Sequence, residues 1–200
     1  MLNRDAAFAL VCQYTESDSL RKHMLAVEAA MRAYARRFAA QGHEADELRW
    51  GIVGLLHDFD YERWPNPPDH PLQGAKILAE LGYPDDVIYA IKSHADYLTD
   101  CPRVSLMDKA LYACDELAGL ITATARLRPE KIAGLTAASV MKKFRQKNFA
   151  AAINRDDITH GAADLGVPLE EHVQSVIDAM AGSAEALGLA ASRAGSADLS

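Results

Sequence analysis

The sequence predicts an all-α protein with a single helical domain. Apolar residues recur at spacings of three and four, and no window alternates apolar and polar residues as a strand would. Ala and Leu are abundant, whereas aromatic residues make up only 7% of the chain. With 200 residues, half of them hydrophobic, the chain can bury one sizeable core. We therefore expect helices packed on helices around that core.

Eight helices are predicted, with capping and turn residues at their ends. The first begins near Ser17, carries an amphipathic stripe and ends at Gln41-Gly42. The second runs from about Glu44 to His57 and precedes a proline-rich loop. The remaining six are predicted at His70–Leu81, Pro84–Ala95, Leu106–Leu127, Ile132–Phe149, Asp156–Leu165 and Leu169–Leu187.

Composition and charge narrow the classes of partner. The chain has 21 basic and 28 acidic residues, and this acidic balance argues against nucleic-acid binding. No apolar stretch is long enough to span a membrane, and the first residues lack the pattern of a secretion signal. Three cysteines without a Cys-x-x-Cys pair suggest reduced thiols, so we expect a cytoplasmic protein. The sequence leaves the oligomeric state open.

Several helices carry a polar residue where apolar residues dominate. His57 and Asp58 stand side by side at the end of the second helix, and His23 borders the apolar stripe of the first. His94 lies on the apolar face of its helix, and Asp115 interrupts the apolar segment KALYACDELAGLI. A buried carboxylate needs a partner, because burying it bare costs several kcal/mol or more.

Each of these residues also has an ordinary structural interpretation. A lone His on an apolar face is more often a core residue bonded to a backbone carbonyl. Asp115 could pair with a basic residue of another helix, and Asp58 could be a cap or turn residue. Together, however, imidazole and carboxylate groups from several helices are the ligands that a divalent metal needs.

The order of His23, His57-Asp58 and the distant Asp115 resembles the HD superfamily of metal-dependent phosphohydrolases. The segments GLLHDFD, HPLQGAKIL, IKSHAD and DKALYACDEL carry the resemblance over about residues 20–125. A later stretch, SVMKKFRQKNFAAAINRDDI, is similar to the C-terminal part of uncharacterised bacterial HD-domain hydrolases. We therefore expect one HD-type domain over 1–190, with the metal site at about 20–125 and C-terminal helices at about 130–188. Residues 191–200 are small and polar, which predicts a disordered tail.

Resemblance to HD proteins with two metals adds His70 and His94 as ligands, although His70 could instead be a solvated turn residue. The chain departs from that pattern in two places. A single His94 stands where two adjacent histidines are common, which leaves a second metal one ligand short. The segment Phe59-Asp60-Tyr61 stands where many members have Ile-Gly-Lys, so a common phosphate contact is lost. One or two divalent ions are expected, of unspecified identity.

The resemblance implies hydrolysis of a small phosphorylated metabolite, such as a nucleotide or another phosphomonoester. A bound divalent metal lowers the pKa of its water, so that hydroxide forms at neutral pH. Asp58 would bridge two ions, and Asp60 or Glu62 would be the general base if one ion binds; both could instead be loop charges. The alternative function is a metal-bearing sensor module that binds a ligand without turnover.

Basic residues are expected to hold the phosphate of the substrate. Lys109 lies near Asp115 on the same predicted helix, and a basic run follows at 142–147. Lys142 and Arg145 share one helix face by their spacing, so we predict that these two contact the phosphate. A solvated helix face is the alternative. We expect no site role for His43, which lies in a polar turn, or for His160 and His172, on faces rich in charge.

Overall fold

The computed structural model describes residues 2–191, which form nine α-helices and no strand, so the predicted all-α class is confirmed. No helix in this range has the length and apolar character needed to cross a membrane. The predicted tail falls almost wholly outside the described residues, and the domain limits stay predictions. The helices are α1 Arg4–Tyr14, α2 Asp18–Ala40, α3 Glu47–Leu56, α4 Asp69–Glu80, α5 Asp85–Ser93, α6 Leu106–Arg126, α7 Ala137–Phe144, α8 Arg155–Asp164 and α9 Leu169–Ala181.

Helix α2 lies at the centre of the fold. It packs most extensively on α3 and also contacts α6 and α9, while α8 packs on α6 as well. Met24, Val27, Met31 and Tyr34 form its buried stripe at spacings of three and four. This packing brings the first turns of α2 beside the middle of α6, where His23 meets Asp115.

Helix α1 is absent from the sequence-based prediction. The Asn3 side chain caps it by accepting a hydrogen bond from the Ala6 N–H. Its buried face is short, consisting of Ala7, Leu10 and Val11, and packs on α3. So small an apolar stripe gives little periodic signal in the sequence, which explains why the helix was missed.

The prediction of one helix over Ile132–Phe149 is wrong, because α7 covers only Ala137–Phe144. Gly134 adopts a left-handed φ of 63°, which ends the preceding turn. Thr136 then caps α7 by accepting from the Ser139 N–H, so the helix begins anew. The last predicted helix is also too long, since α9 ends at Ala181.

The expectation that His172 lies on a charged face is wrong, because this residue of α9 is fully buried. Its Nε2–H donates to the Ala113 carbonyl at 2.8 Å, and its Nδ1 accepts from the Tyr34 hydroxyl at 2.5 Å. Burial lowers the pKa of His172 to about 4. The imidazole is therefore a neutral bridge between α2, α6 and α9.

We expect His172 to make the fold sensitive to mild acid. Its pKa in the folded protein is about 4, below the unfolded value of roughly 6.5, so the unfolded chain takes up the proton first. The stability it contributes is complete above about pH 6.5 and is lost as the pH falls towards 4, by about 2 kcal/mol between pH 7 and pH 5. Urea unfolding at both pH values, with a chelator present, should show that His172→Gln loses about 2 kcal/mol less than the wild type. Equal losses in the two proteins would contradict this assignment.

Candidate metal centre

Five helices bring all six predicted ligand residues together. The first group consists of His23, His57, Asp58 and Asp115, and the second of Asp58, His70 and His94; within each group the ligand atoms lie within 4.8 Å of one another. His57 and His94 are the C-cap residues of α3 and α5, and His70 lies in the first turn of α4. The ends of helices thus supply most of the cluster.

Asp58 belongs to both groups because its two oxygens face in different directions. Its Oδ2 is 3.4 Å from His57 Nε2 and 3.8 Å from His23 Nε2. Its Oδ1 is 3.3 Å from His70 Nε2 and 3.6 Å from His94 Nε2. A carboxylate in this position can bind two neighbouring cations, one through each oxygen.

Backbone and side-chain acceptors fix the orientation of three imidazoles. The Nδ1 atom of His57 is 2.9 Å from the Gly54 carbonyl, and that of His94 contacts the Ile91 carbonyl. Because a carbonyl only accepts, each of these Nδ1 atoms carries the proton, and each Nε2 directs a lone pair into the cluster. His70 is held in the same way, with its Nδ1 at 2.7 Å from Asp60 Oδ1.

In these tautomers the Nε2 atoms of His57, His70 and His94 are acceptors, whereas His23 Nε2 donates to Asp115 Oδ1 at 2.9 Å. His57 Nε2 is fully buried and has no hydrogen-bond partner among residues 2–191, although carboxylate oxygens of Asp58 and Asp115 lie 3.4 Å away. The Nε2 atoms of His70 and His94 are 3.3 Å apart. Lone pairs and carboxylates this close repel one another unless positive charge lies between them. A divalent metal fits, since imidazole nitrogen and carboxylate oxygen are its usual ligands.

The pKa shifts of the clustered histidines and of Asp58 also indicate that the cluster favours positive charge. Burial lowers the pKa of His57, but the Asp58 and Asp115 carboxylates outweigh this effect and raise it well above its ordinary value. Burial likewise lowers the pKa of His70, yet Asp58 and Asp60 raise it to about 9. Burial raises the pKa of Asp58, but the histidines, His57 foremost, hold it well below its ordinary value. Protons can supply this charge, and a bound metal would displace them.

The cluster is open to solvent on one side. The side chain of His57 is completely buried, and those of His70 and His94 are 7% exposed. By contrast, His23 is 22% and Asp115 is 24% exposed. The cluster is therefore accessible from solvent on the side where α2 faces α6.

Asp60 and Glu62 are held by contacts within the protein, and their role as a general base stays a prediction. Asp60 is buried, and while its Oδ1 holds His70, its Oδ2 accepts from the Gly74 N–H at 2.7 Å. Glu62 Oε2 accepts from two backbone N–H groups, of Glu16 and Ser17, at 3.0 Å each. Asp60 thus orients the His70 ring, and Glu62 holds the backbone that immediately precedes α2.

The three basic residues predicted to bind phosphate lie outside the cluster. Lys109 is half-buried on α6, whereas Lys142 and Arg145 are exposed at the C-terminal end of α7. Within residues 2–191, no hydrogen bond or ion pair joins them to the ligand residues. The segment after α7 does return to α6, where Asp157 accepts from the Tyr112 hydroxyl at 2.9 Å. Their contact with a substrate stays a prediction.

Sequence reasoning missed the residues that hold the loop after α5. The Tyr97 hydroxyl donates to the His70 carbonyl, which ties this loop to the start of α4. Arg103 donates to the Ser93 carbonyl at 3.3 Å, next to His94, and its guanidinium lies 3.6 Å from the centre of the Tyr112 ring. These residues have no helical periodicity, so a one-dimensional pattern gave no signal for them.

Comparison with known proteins adds one finding. A family model described as HD domain matches residues 20–120, a range that contains all six predicted ligand residues. Neither the curated proteins nor the solved structures include a significant match to the chain.

Proposed function

The chain belongs to the HD domain family, as its motifs predicted, and from this premise we propose that it is a phosphohydrolase of small phosphorylated metabolites. Proteins of this superfamily are typically metal-dependent phosphohydrolases. The observation that carries the proposal is the set of acceptors around the buried His57 Nε2, because imidazole nitrogen and carboxylate oxygen are the usual ligands of divalent metals. A nucleotide or another phosphomonoester is the proposed kind of substrate.

Two sets of residues would hold the metal. His23, His57, Asp58 and Asp115 form the larger set, and Asp58 with His70 and His94 forms the smaller. A divalent metal bound there would supply Lewis acidity towards a phosphoryl oxygen and lower the pKa of water. The smaller set offers fewer protein ligands, so we propose that it binds metal more weakly.

The chain itself fixes the orientation of the imidazoles. Carbonyls hold His57 and His94 as the tautomers with a free Nε2, and Asp60 does the same for His70. Because these rings are already oriented, they need little rearrangement to bind a metal, which favours tight binding. The proposed contacts for the phosphate are Lys109, Lys142 and Arg145, as the sequence predicts.

The proposal is tested by pairing metal analysis with a search for activity. Protein purified without added metal is assayed by elemental analysis, and phosphate release is screened across nucleotides and sugar phosphates. We expect bound divalent metal, phosphate release from at least one compound, and loss of release after chelation that metal restores. Tight binding of such compounds by metal-loaded protein without any phosphate release would contradict hydrolysis and favour the sensor function.

His70→Ala should cost at most one equivalent of metal. The substitution removes one of three ligands from the smaller set and leaves the larger set intact, so the first metal should stay bound. His70 begins α4 and does not fill the main apolar core, so the helical circular dichroism should persist. The ratio of metal to protein in variant and wild type decides the result. If that ratio is unchanged in fully loaded samples, His70 holds no metal.

A further inference from the structure

A cavity of about 140 Å³ adjoins the metal centre on its open side. It lies between the first turns of α2 and the C-terminal half of α6, and we call it the α2–α6 cavity. His23 lines it and also belongs to the larger set of metal ligands, so the two sites share a wall. Its other polar lining residues are Ser19, Lys22, Thr122 and Arg126.

The spacing of residues along both helices shows that the cavity continues from the metal centre. On α6, Thr122 and Arg126 lie seven and eleven residues after Asp115, which places all three on one face of the helix. On α2, Ser19 lies one turn before His23 on the same face. Thr122 is about 10 Å from Asp115 along the helix axis.

The charged side chains that line the cavity are cationic, although the protein as a whole is acidic. Lys22 and Arg126 line it, and none of its lining residues in the described chain is acidic. Lys22 pairs with Asp18 at 2.6 Å, but the Asp18 side chain is 79% exposed and stands outside the lining. The hydroxyls of Ser19 and Thr122 add hydrogen-bond donors. Cationic groups together with hydroxyl donors are suited to an oxyanion such as phosphate or carboxylate.

The size of the cavity indicates what part of a ligand it accepts. Sites that enclose a whole small molecule usually have about 300–1,000 Å³, well above the 140 Å³ observed. The cavity therefore suits a single chemical group of a molecule whose remainder lies elsewhere. Because it shares His23 with the metal centre, that remainder would lie over the metal ligands.

We propose that the α2–α6 cavity binds a second anionic group of the substrate, roughly 10 Å from the phosphate at the metal centre. The preferred substrates are then small metabolites with two anionic groups, either two phosphates or a phosphate and a carboxylate. This inference rests on the proposed function, which assigns the hydrolysed phosphate to the metal centre. Arg126 is the specificity-determining residue, since its side chain can lie back along α6 towards Thr122.

The test compares two probes that cannot be hydrolysed. Heptane-1,7-bisphosphonate carries two anionic groups on a chain long enough to span the proposed separation, and heptylphosphonate carries one; both are titrated calorimetrically into metal-loaded protein. The wild type should bind the bisphosphonate at least about tenfold more tightly, and Arg126→Gln should remove about tenfold of that affinity. Affinity for heptylphosphonate should stay within about twofold, because that probe occupies only the metal centre.

Two further variants test whether the effect depends on the position of the cation and on the shape of the cavity. Arg36→Gln removes a cation from the same helix as His23, about 20 Å along its axis, and should leave both affinities unchanged. Thr122→Leu fills the cavity with apolar atoms and should also abolish the preference for the bisphosphonate. Circular dichroism of each variant should match that of the wild type.

The outcomes separate this inference from the proposed function. Equal affinity of the wild type for both probes, or an equal effect of Arg126→Gln on both, would overturn the second anion site. If phosphate is released but the bisphosphonate is not preferred, hydrolysis is supported and only the anion site in the cavity is contradicted. If the preference for the bisphosphonate depends on Arg126 but no compound is hydrolysed, the anion site is supported and the proposed hydrolase activity is contradicted.

Discussion

Asp58→Asn is expected to remove more than half of the bound metal and to abolish hydrolysis. Each Asp58 oxygen faces a different group of imidazoles, so one substitution affects both sets of ligands. Asparagine keeps the shape but has one acceptor and a donor amide, and it lacks the negative charge that offsets a divalent cation. We expect kcat/KM to fall by about a hundredfold to a thousandfold or more. His57→Ala should have the same two effects, because it removes the buried Nε2 ligand.

The measurement pairs elemental analysis with steady-state kinetics on the best substrate of the phosphate-release screen. Asp86→Asn is the matched control, since Asp86 is an exposed carboxylate that pairs with Arg49 at 2.5 Å and stands outside both groups. That control should keep wild-type metal content and rate. Wild-type metal content in Asp58→Asn would show that the cluster is not the metal site.

The sequence was most informative where a helix has a strong apolar stripe. Met24, Val27, Met31 and Tyr34 predicted α2, and the predicted limits of α6 agree with the structure to within one residue. A stripe also makes a polar residue on the same face conspicuous, which is how Asp115 was selected. The family's motif order then related His23 to Asp115, which the structure brings to 2.9 Å across 92 positions in the chain.

The sequence was least informative where a contact depends on the angle between elements. Asp60 follows the His-Asp pair directly, so proximity in sequence suggested a catalytic base. The backbone turn after α3 directs its carboxylate to His70 and to the Gly74 N–H. The α2–α6 cavity was missed for the same reason, since the positions of Lys22 and Arg126 are related only by the packing of two distant helices. Helical periodicity describes one face of one helix and not its distance from another.

Asp60→Asn should weaken the second metal by about tenfold to a hundredfold, because Asp60 determines which nitrogen of His70 is free. The carboxylate accepts from His70 Nδ1–H at 2.7 Å and from the Gly74 N–H at 2.7 Å. An asparagine has one acceptor to offer. If its oxygen faces Gly74, its amide faces Nδ1 and favours the tautomer with a proton on Nε2, which cannot bind metal. If its oxygen faces His70, the Gly74 N–H is left unpaired in a buried site, at a cost of about 1–3 kcal/mol.

Competition with a chelator of known affinity would give the two binding constants separately. The constant of the larger set should change less than threefold, because within residues 2–191 the Asp60 carboxylate hydrogen-bonds to His70 and Gly74 and to none of those four residues. Asp69→Asn is the control, since this exposed carboxylate precedes His70 directly and accepts from the Gln73 amide at 3.1 Å. Hydrolysis by Asp60→Asn should recover when the metal concentration is raised, because the defect lies in binding. If hydrolysis stays abolished while both metals bind with wild-type affinity, Asp60 acts on the substrate or its water, as a general base would, and its role in orienting His70 is secondary.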